Sequence, residues 1–212
     1  CCAGGLTSNA RVDPDSGATD DVDSFPFDCR VVAMTAAAVL GFWFDEATPA
    51  QWWSKSDPFD RLIEARFGAL HGAALRCELY HWRSNADGRL AEVIVLDQFS
   101  RNIFRDRPQA FAADSMALLL AQEAVAAGAD RALDPTRRAF LYMPYMHSES
   151  PLIHSVASKL FAAPGMTGNL EFERRHQAII ERFGRYPHRN AILGRASTPA
   201  ELEFLKTPGS AF

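Results

Sequence analysis

From residue 35 onward apolar residues recur at intervals of three and four and seldom alternate, which predicts helices and leaves almost no room for strands. In the segment 57–82, Leu62, Ile63, Phe67, Leu70, Ala74 and Leu75 share one face. The segment opens on Asp57-Pro58, a cap followed by proline in the first turn. The run 89–104 contains VIVL, which alone reads as a strand. Its length and the spacing of Leu90, Val93, Ile94, Asp97, Arg101 and Asn102 favour a helix. Pro108 opens an Ala/Leu-rich helix ending near Gly128, and Asp134-Pro135 starts another that Pro144 ends or kinks. Further helices are predicted over 150–161, over 169–184 with Asn169 as cap and Gly184 as stop, and from the capping box Thr198-Pro199-Ala200-Glu201. Seven or eight helices with short connections predict an all-α fold of helix-on-helix layers. No internal repeat can be read directly.

Polar residues interrupt this pattern in three places. On a helix, Asp97 faces Arg101 and Gln98 faces Asn102, each at i and i+4. Their flanks, VIVL and IF, predict a mostly buried helix, so each polar group needs a partner. HSES, residues 147–150, follows the Pro144 break. His147 with Glu149 suits acid–base work, but Ser148 or Ser150 capping the next helix is favoured. No nucleophile-elbow pattern surrounds Ser148. The stretch RFGRYPHRNAILGR, residues 182–195, packs four arginines and a histidine into fourteen residues. Pro187 can begin a helix there, which would set His188, Arg189 and Asn190 against the positive end of the helix dipole. Cations placed so imply an anion to be held, either Asp97 and Glu149 or a group on a ligand. His176 lies on an apolar face with Phe172, Ile179, Ile180 and Phe183 and is expected to be a hydrogen-bonded core residue.

Composition limits the rest. Of 212 residues, 48% are hydrophobic and 23% charged, as in ordinary soluble domains. The net charge of −4 gives no field that would draw nucleic acid or an anionic membrane. Residues 1–33 are rich in Asp, Gly, Ser and Ala and read as a disordered acidic leader or upstream sequence, with 34–212 as one helical domain. The apolar run 31–44 is shorter than the roughly 20 residues that span a bilayer and reads as a buried first helix. Four cysteines with no paired spacing fit a reducing cytosol, with Cys77 expected as a small buried apolar side chain. Neither the histidines nor the cysteines show metal-ligand spacing, and no cofactor is implied. Trp43, Trp52, Trp53 and Trp82 are expected in the core rather than along a groove.

FWFDE, LDQFSRNIFRD, MPYMHSES and RFGRYPHRNAILGR, in this order, resemble the bacterial DUF924 family over about residues 39–205. The resemblance implies a tetratricopeptide-repeat-like α-α superhelix. It brings no established activity. It marks as family signature Asp97, Gln98, Arg101 and Asn102, then His147, Ser148 and Glu149, then Arg182, Arg185, His188, Arg189, Asn190 and Arg195. Ser100 stands where the family commonly has proline, and residues 1–33 lie outside its pattern. Three functions stay open. The cluster is a binding site for a small anion or a peptide terminus, an active site using His147 or His188 with a carboxylate, or a buried ion network that fixes the helices.

Overall fold

The structure, a computed structural model, describes residues 34–210. The acidic leader expected over 1–33 lies outside them. Ten α-helices follow in order among the described residues: α1 (Ala36–Gly41), α2 (Pro49–Trp53), α3 (Asp57–Leu75), α4 (Ala86–Ile94), α5 (Ser100–Ile103), α6 (Asp114–Ala126), α7 (Pro135–Met146), α8 (Pro151–Phe161), α9 (Thr167–Phe183) and α10 (Pro199–Phe204). No strand occurs among these residues, so the all-α expectation holds. None of their helices is long and apolar enough to cross a membrane.

The centre of the fold is the run α4–α5. Leu90, Val93, Ile94, Val95, Leu96 and Phe99 are fully buried, so this helix is apolar all round rather than on one stripe. It is enclosed by α1, α3, α6 and α7. A π-helical turn, Val95–Phe99, joins its two halves. Such a turn adds a residue to the helical repeat and re-aims the side chains beyond it. Aromatic rings fill the space toward α3 and α7, with ring centres 4.8 Å apart for Phe67 and Phe99 and 5.6 Å for Trp43 and Phe140. Pairs of this kind contribute about 0.5–1.5 kcal/mol beyond their buried area. Helix α8 packs between α7 and α9. A smaller apolar cluster, Ile179, Ile180 and Tyr186 with Phe183 and Phe204, seats the C-terminal segment.

Several boundaries differ from the sequence reading. Helix α3 stops at Leu75 instead of running to residue 82, and a 3-10 turn, Tyr80–Ser84, follows. Cys77 therefore lies past the helix end, with φ of 60°, and is exposed rather than buried. Two glycines in α3 weaken it, and nothing in the periodicity marks where it yields. Asp57 is not the cap; Ser56 accepts from Phe59 N. The helix expected from Pro108 divides into a 3-10 turn, Pro108–Phe111, and α6. Pro144 neither ends nor replaces α7, which continues to Met146. Helix α9 begins at Thr167, ahead of Asn169, and stops at Gly184 (φ 68°) as expected. Trp53 is 64% exposed, unlike the buried Trp43 and Trp82. Pro187 starts a single 3-10 turn, Pro187–Arg189, not a helix.

Candidate functional site

Asp97 lies in the π-helical turn, completely buried. Its Oδ1 meets His147 Nδ1 at 2.8 Å and Arg101 Nη1 at 3.1 Å, and its Oδ2 accepts from Gln98 Nε2 at 2.6 Å. The pair expected at i and i+4 is thus present, but the partner that sets its character comes from α7. His147 is the C-cap of that helix. Burial alone would raise the Asp97 carboxyl; Arg101 and His147 outweigh it and hold the acid well below its usual range. Burial, then the charge of Arg101, lowers His147, so its imidazole is neutral near pH 7. With Nδ1–H donated to Asp97, the hydrogen-bond-accepting nitrogen is Nε2, which makes no hydrogen bond to a described residue.

Arg101 and Arg189 share one carboxylate, Asp114, at the start of α6. Arg101 Nη1 lies 3.1 Å from Asp114 Oδ1, and Arg189 Nη1 donates to Oδ2 at 3.1 Å. Arg189 is only 6% exposed. Its guanidinium stacks over Phe111 at 4.6 Å and Tyr186 at 4.7 Å, which fixes its plane. The bond to Asp114 is the one side-chain hydrogen bond of Arg189 to the described residues, and its Nε is buried without a partner. A guanidinium carries five N–H donors, and the Nε–H of this one is buried without a protein acceptor. Burial, then the charge of Arg101, works against the Arg189 cation.

Of these groups Asp114, His147 and Arg189 line a cleft of about 310 Å³, whereas Asp97, Gln98 and Arg101 are not part of its lining. Arg189, Asp114, His147, Ser148 and Glu149 supply its polar wall, and Phe111, Pro144, Leu118 and Leu193 its apolar one. Its size suits a small organic molecule.

The remaining signature residues divide. Glu149 accepts Arg195 Nη1 at 2.6 Å, Arg195 Nη2 at 2.9 Å and Tyr186 N at 2.8 Å. Arg195 also donates to Asn190 Oδ1, and Asn190 Nδ2 donates to Ser197. These contacts tie residues 186–197 to the α7–α8 junction. Arg185 turns away and grips Glu201 of the α10 capping box through two bonds of 2.7 and 2.9 Å. Arg182 stacks on Phe183 and Phe204. His188 sits beside Tyr186, with its ring lowered to about 4 by burial and by Arg189. Asn102 does not join the cleft: beyond the π-turn it points to Asp60, where Arg105 also binds, beside a second, polar cavity of about 400 Å³.

Ser150 occupies the α8 cap position without a side-chain bond, and Ser148 Oγ accepts from Ser150 N at 3.2 Å. His176 bonds Phe172 O, as expected of a core histidine. The sequence reading missed Asp114, which the structure places in the first turn of α6. It also missed His154, whose Nε2–H donates to Ser148 O while Nδ1 meets Glu173 at 2.8 Å.

Residues 39–209 match the family described as bacterial protein of unknown function (DUF924). The chain belongs to the DUF924 family. A solved structure of a protein of unknown function, ATU0120 from Agrobacterium tumefaciens, superposes on this DUF924 chain with a TM-score of 0.77. The two are 39% identical, over 81% of this chain and 96% of the other. No curated protein matches this DUF924 member.

Proposed function

We propose that the cleft of this DUF924 protein binds a small molecule or peptide terminus through one anionic group, a carboxylate or phosphate, held at Arg189. The observation that carries the reading is the state of Arg189: a buried guanidinium, clamped between two rings, with a single protein hydrogen bond. A buried cation with unused donors is costly, and an anion placed against it recovers both charge and hydrogen bonds. The cleft volume and its apolar wall of Phe111, Pro144 and Leu118 support a ligand with a short hydrocarbon body. The structural reading has a specific observation in its favour too. The Glu149–Arg195 and Arg185–Glu201 pairs are closed and bidentate, so this part of the signature serves to anchor the C-terminal segment.

The test is a thermal-shift titration with acetate, succinate, inorganic phosphate and a tripeptide with a free C-terminus, on the native protein and on Arg189→Met. A ligand at about 100 times its Kd adds roughly 2.7 kcal/mol of stability. At about 2–4 °C per kcal/mol this is a shift of roughly 5–11 °C. The reading requires such a shift in the native protein and its loss in the variant. No shift with any of the four ligands contradicts it.

A further inference from the structure

We propose that the cleft is a catalytic site, in which His147 is the general base for hydrolysis of a small ester whose carboxylate is held by Arg189. The proposal rests on the binding role given to Arg189 and adds chemistry at the other wall of the same cleft.

Asp97 is completely buried and fixes His147 through Nδ1 at 2.8 Å, within the 2.6–3.2 Å a working hydrogen bond spans. Gln98 and Arg101 in turn fix Asp97, so both its oxygens are engaged and its position is set. This carboxylate–imidazole arrangement holds one tautomer and leaves the Nε2 lone pair as the reactive atom. A histidine with both nitrogens bonded to protein has no lone pair left for a ligand. His154 shows that pattern, with Glu173 on one nitrogen and Ser148 O on the other. His147 lines the cleft instead and makes no second bond to a described residue. The charged and titratable groups around it are Asp97 and Arg101 from the central helix, Asp114 from α6, Glu149 from the α7–α8 junction, His176 from α9, and His188 and Arg189 from the C-terminal turn.

In the step, Nε2 takes a proton from water. The water oxygen bonds to the acyl carbon, and the acyl–oxygen bond breaks with its electron pair leaving on the alcohol oxygen. The imidazolium, stabilised by Asp97, returns the proton to that oxygen. Ester and water become acid and alcohol, and the histidine is restored.

The experiment uses two activated esters: mono(4-nitrophenyl) glutarate, which carries a carboxylate, and 4-nitrophenyl acetate, which does not. Release of 4-nitrophenolate is followed on the full chain, on His147→Asn, on Asp97→Asn and on Arg189→Met, with far-UV circular dichroism confirming that each is folded. His147→Asn keeps an N–H toward Asp97 and removes Nε2. The expected result is a loss of about a hundredfold in His147→Asn on both esters, the ordinary weight of a general base. The rate of the native protein should rise with pH and reach half its plateau below the ordinary histidine value of 6.5, and Asp97→Asn should move that midpoint. Arg189→Met should raise KM for the glutarate ester alone. Equal rates for the native protein and a folded His147→Asn overturn the catalytic role while leaving anion binding intact. Loss in His147→Asn with no KM change in Arg189→Met supports the base and removes the anion site. If Asp97→Asn does not fold, the pH midpoint of the native protein decides whether His147 is the titrating group.

Discussion

Replacing Asp97 by Asn removes one negative charge from the centre of the polar cluster with almost no change of shape. The cost follows from what its two oxygens hold. Oδ1 carries His147 and Arg101, and Oδ2 carries Gln98. If the new amide keeps its oxygen toward His147 and Arg101, its NH2 meets the NH2 of Gln98, a conflict that a flip of the Gln98 amide relieves. Arg101 then keeps Asp114 as its only carboxylate. The loss lies between a neutral hydrogen bond, about 1 kcal/mol, and a fully orphaned buried charge, about 3–5 kcal/mol. We expect about 2–3 kcal/mol at pH 7, or roughly 4–12 °C in Tm. The sign with pH is fixed by the lowered Asp97 acid. A carboxyl held below its unfolded value of about 3.9 stabilises fully above that value and loses the contribution progressively as pH falls below it toward the lowered value of the folded state. The gap between native protein and variant, read by urea denaturation, should therefore narrow as pH falls from about 5 toward 3. A gap under about 0.5 kcal/mol at pH 7, or one of equal size at pH 3, would refute the ionised role assigned to Asp97.

Arg195→Met should cost about 1–2 kcal/mol, less than a fully buried pair because Arg195 and Glu149 are 25% and 27% exposed. Limited proteolysis of that variant should open within 184–210, and an unchanged cleavage pattern would show that the clamp is not needed. Burial lowers His188 to about 4 and His176 to about 3, and it also lowers His147. The unfolded chain takes up protons near 6.5 that the folded one refuses, so Tm should stay flat above about pH 7 and fall between about 6.5 and 4. His188→Asn should flatten that slope, and an identical slope in both proteins would contradict the assignment. Gly88→Ala should cost more than about 3 kcal/mol, since its Cβ would lie 1.9 Å from the Trp82 carbonyl oxygen, on rigid backbone. A melting curve like that of the native protein would show that the contact can relax.

The fold class was legible because its signals are local. Proline after a cap marked the starts of α7 and α10, and Gly184 marked the end of α9, by chemistry confined to a few residues. The π-turn had no such signal. Leu96 and Phe99 are buried within it, and Asn102, beyond it, bonds Asp60 rather than lining the cleft. The need of buried polar groups for partners pointed to Asp97 and Glu149 as counter-ions of the 182–195 arginines, but Arg189 pairs with Asp114 instead. Which acid meets which base was not legible. Asp114 serves Arg101 and Arg189 together, a pairing set by how α6 packs on the central helix and invisible in a first-turn aspartate. Glu149, offered both beside His147 and as a counter-ion for the arginines of 182–195, takes the second role with Arg195.

The most direct test of the account is the NMR signal of the Arg189 guanidinium, assigned by its absence in Arg189→Met and followed while succinate is added. The account predicts a saturable downfield movement of the Arg189 N–H resonances with the Arg195 signals unmoved, because Arg195 already holds Glu149. Arg189 resonances that stay in place while the protein is saturated with succinate and the other three anions would contradict it.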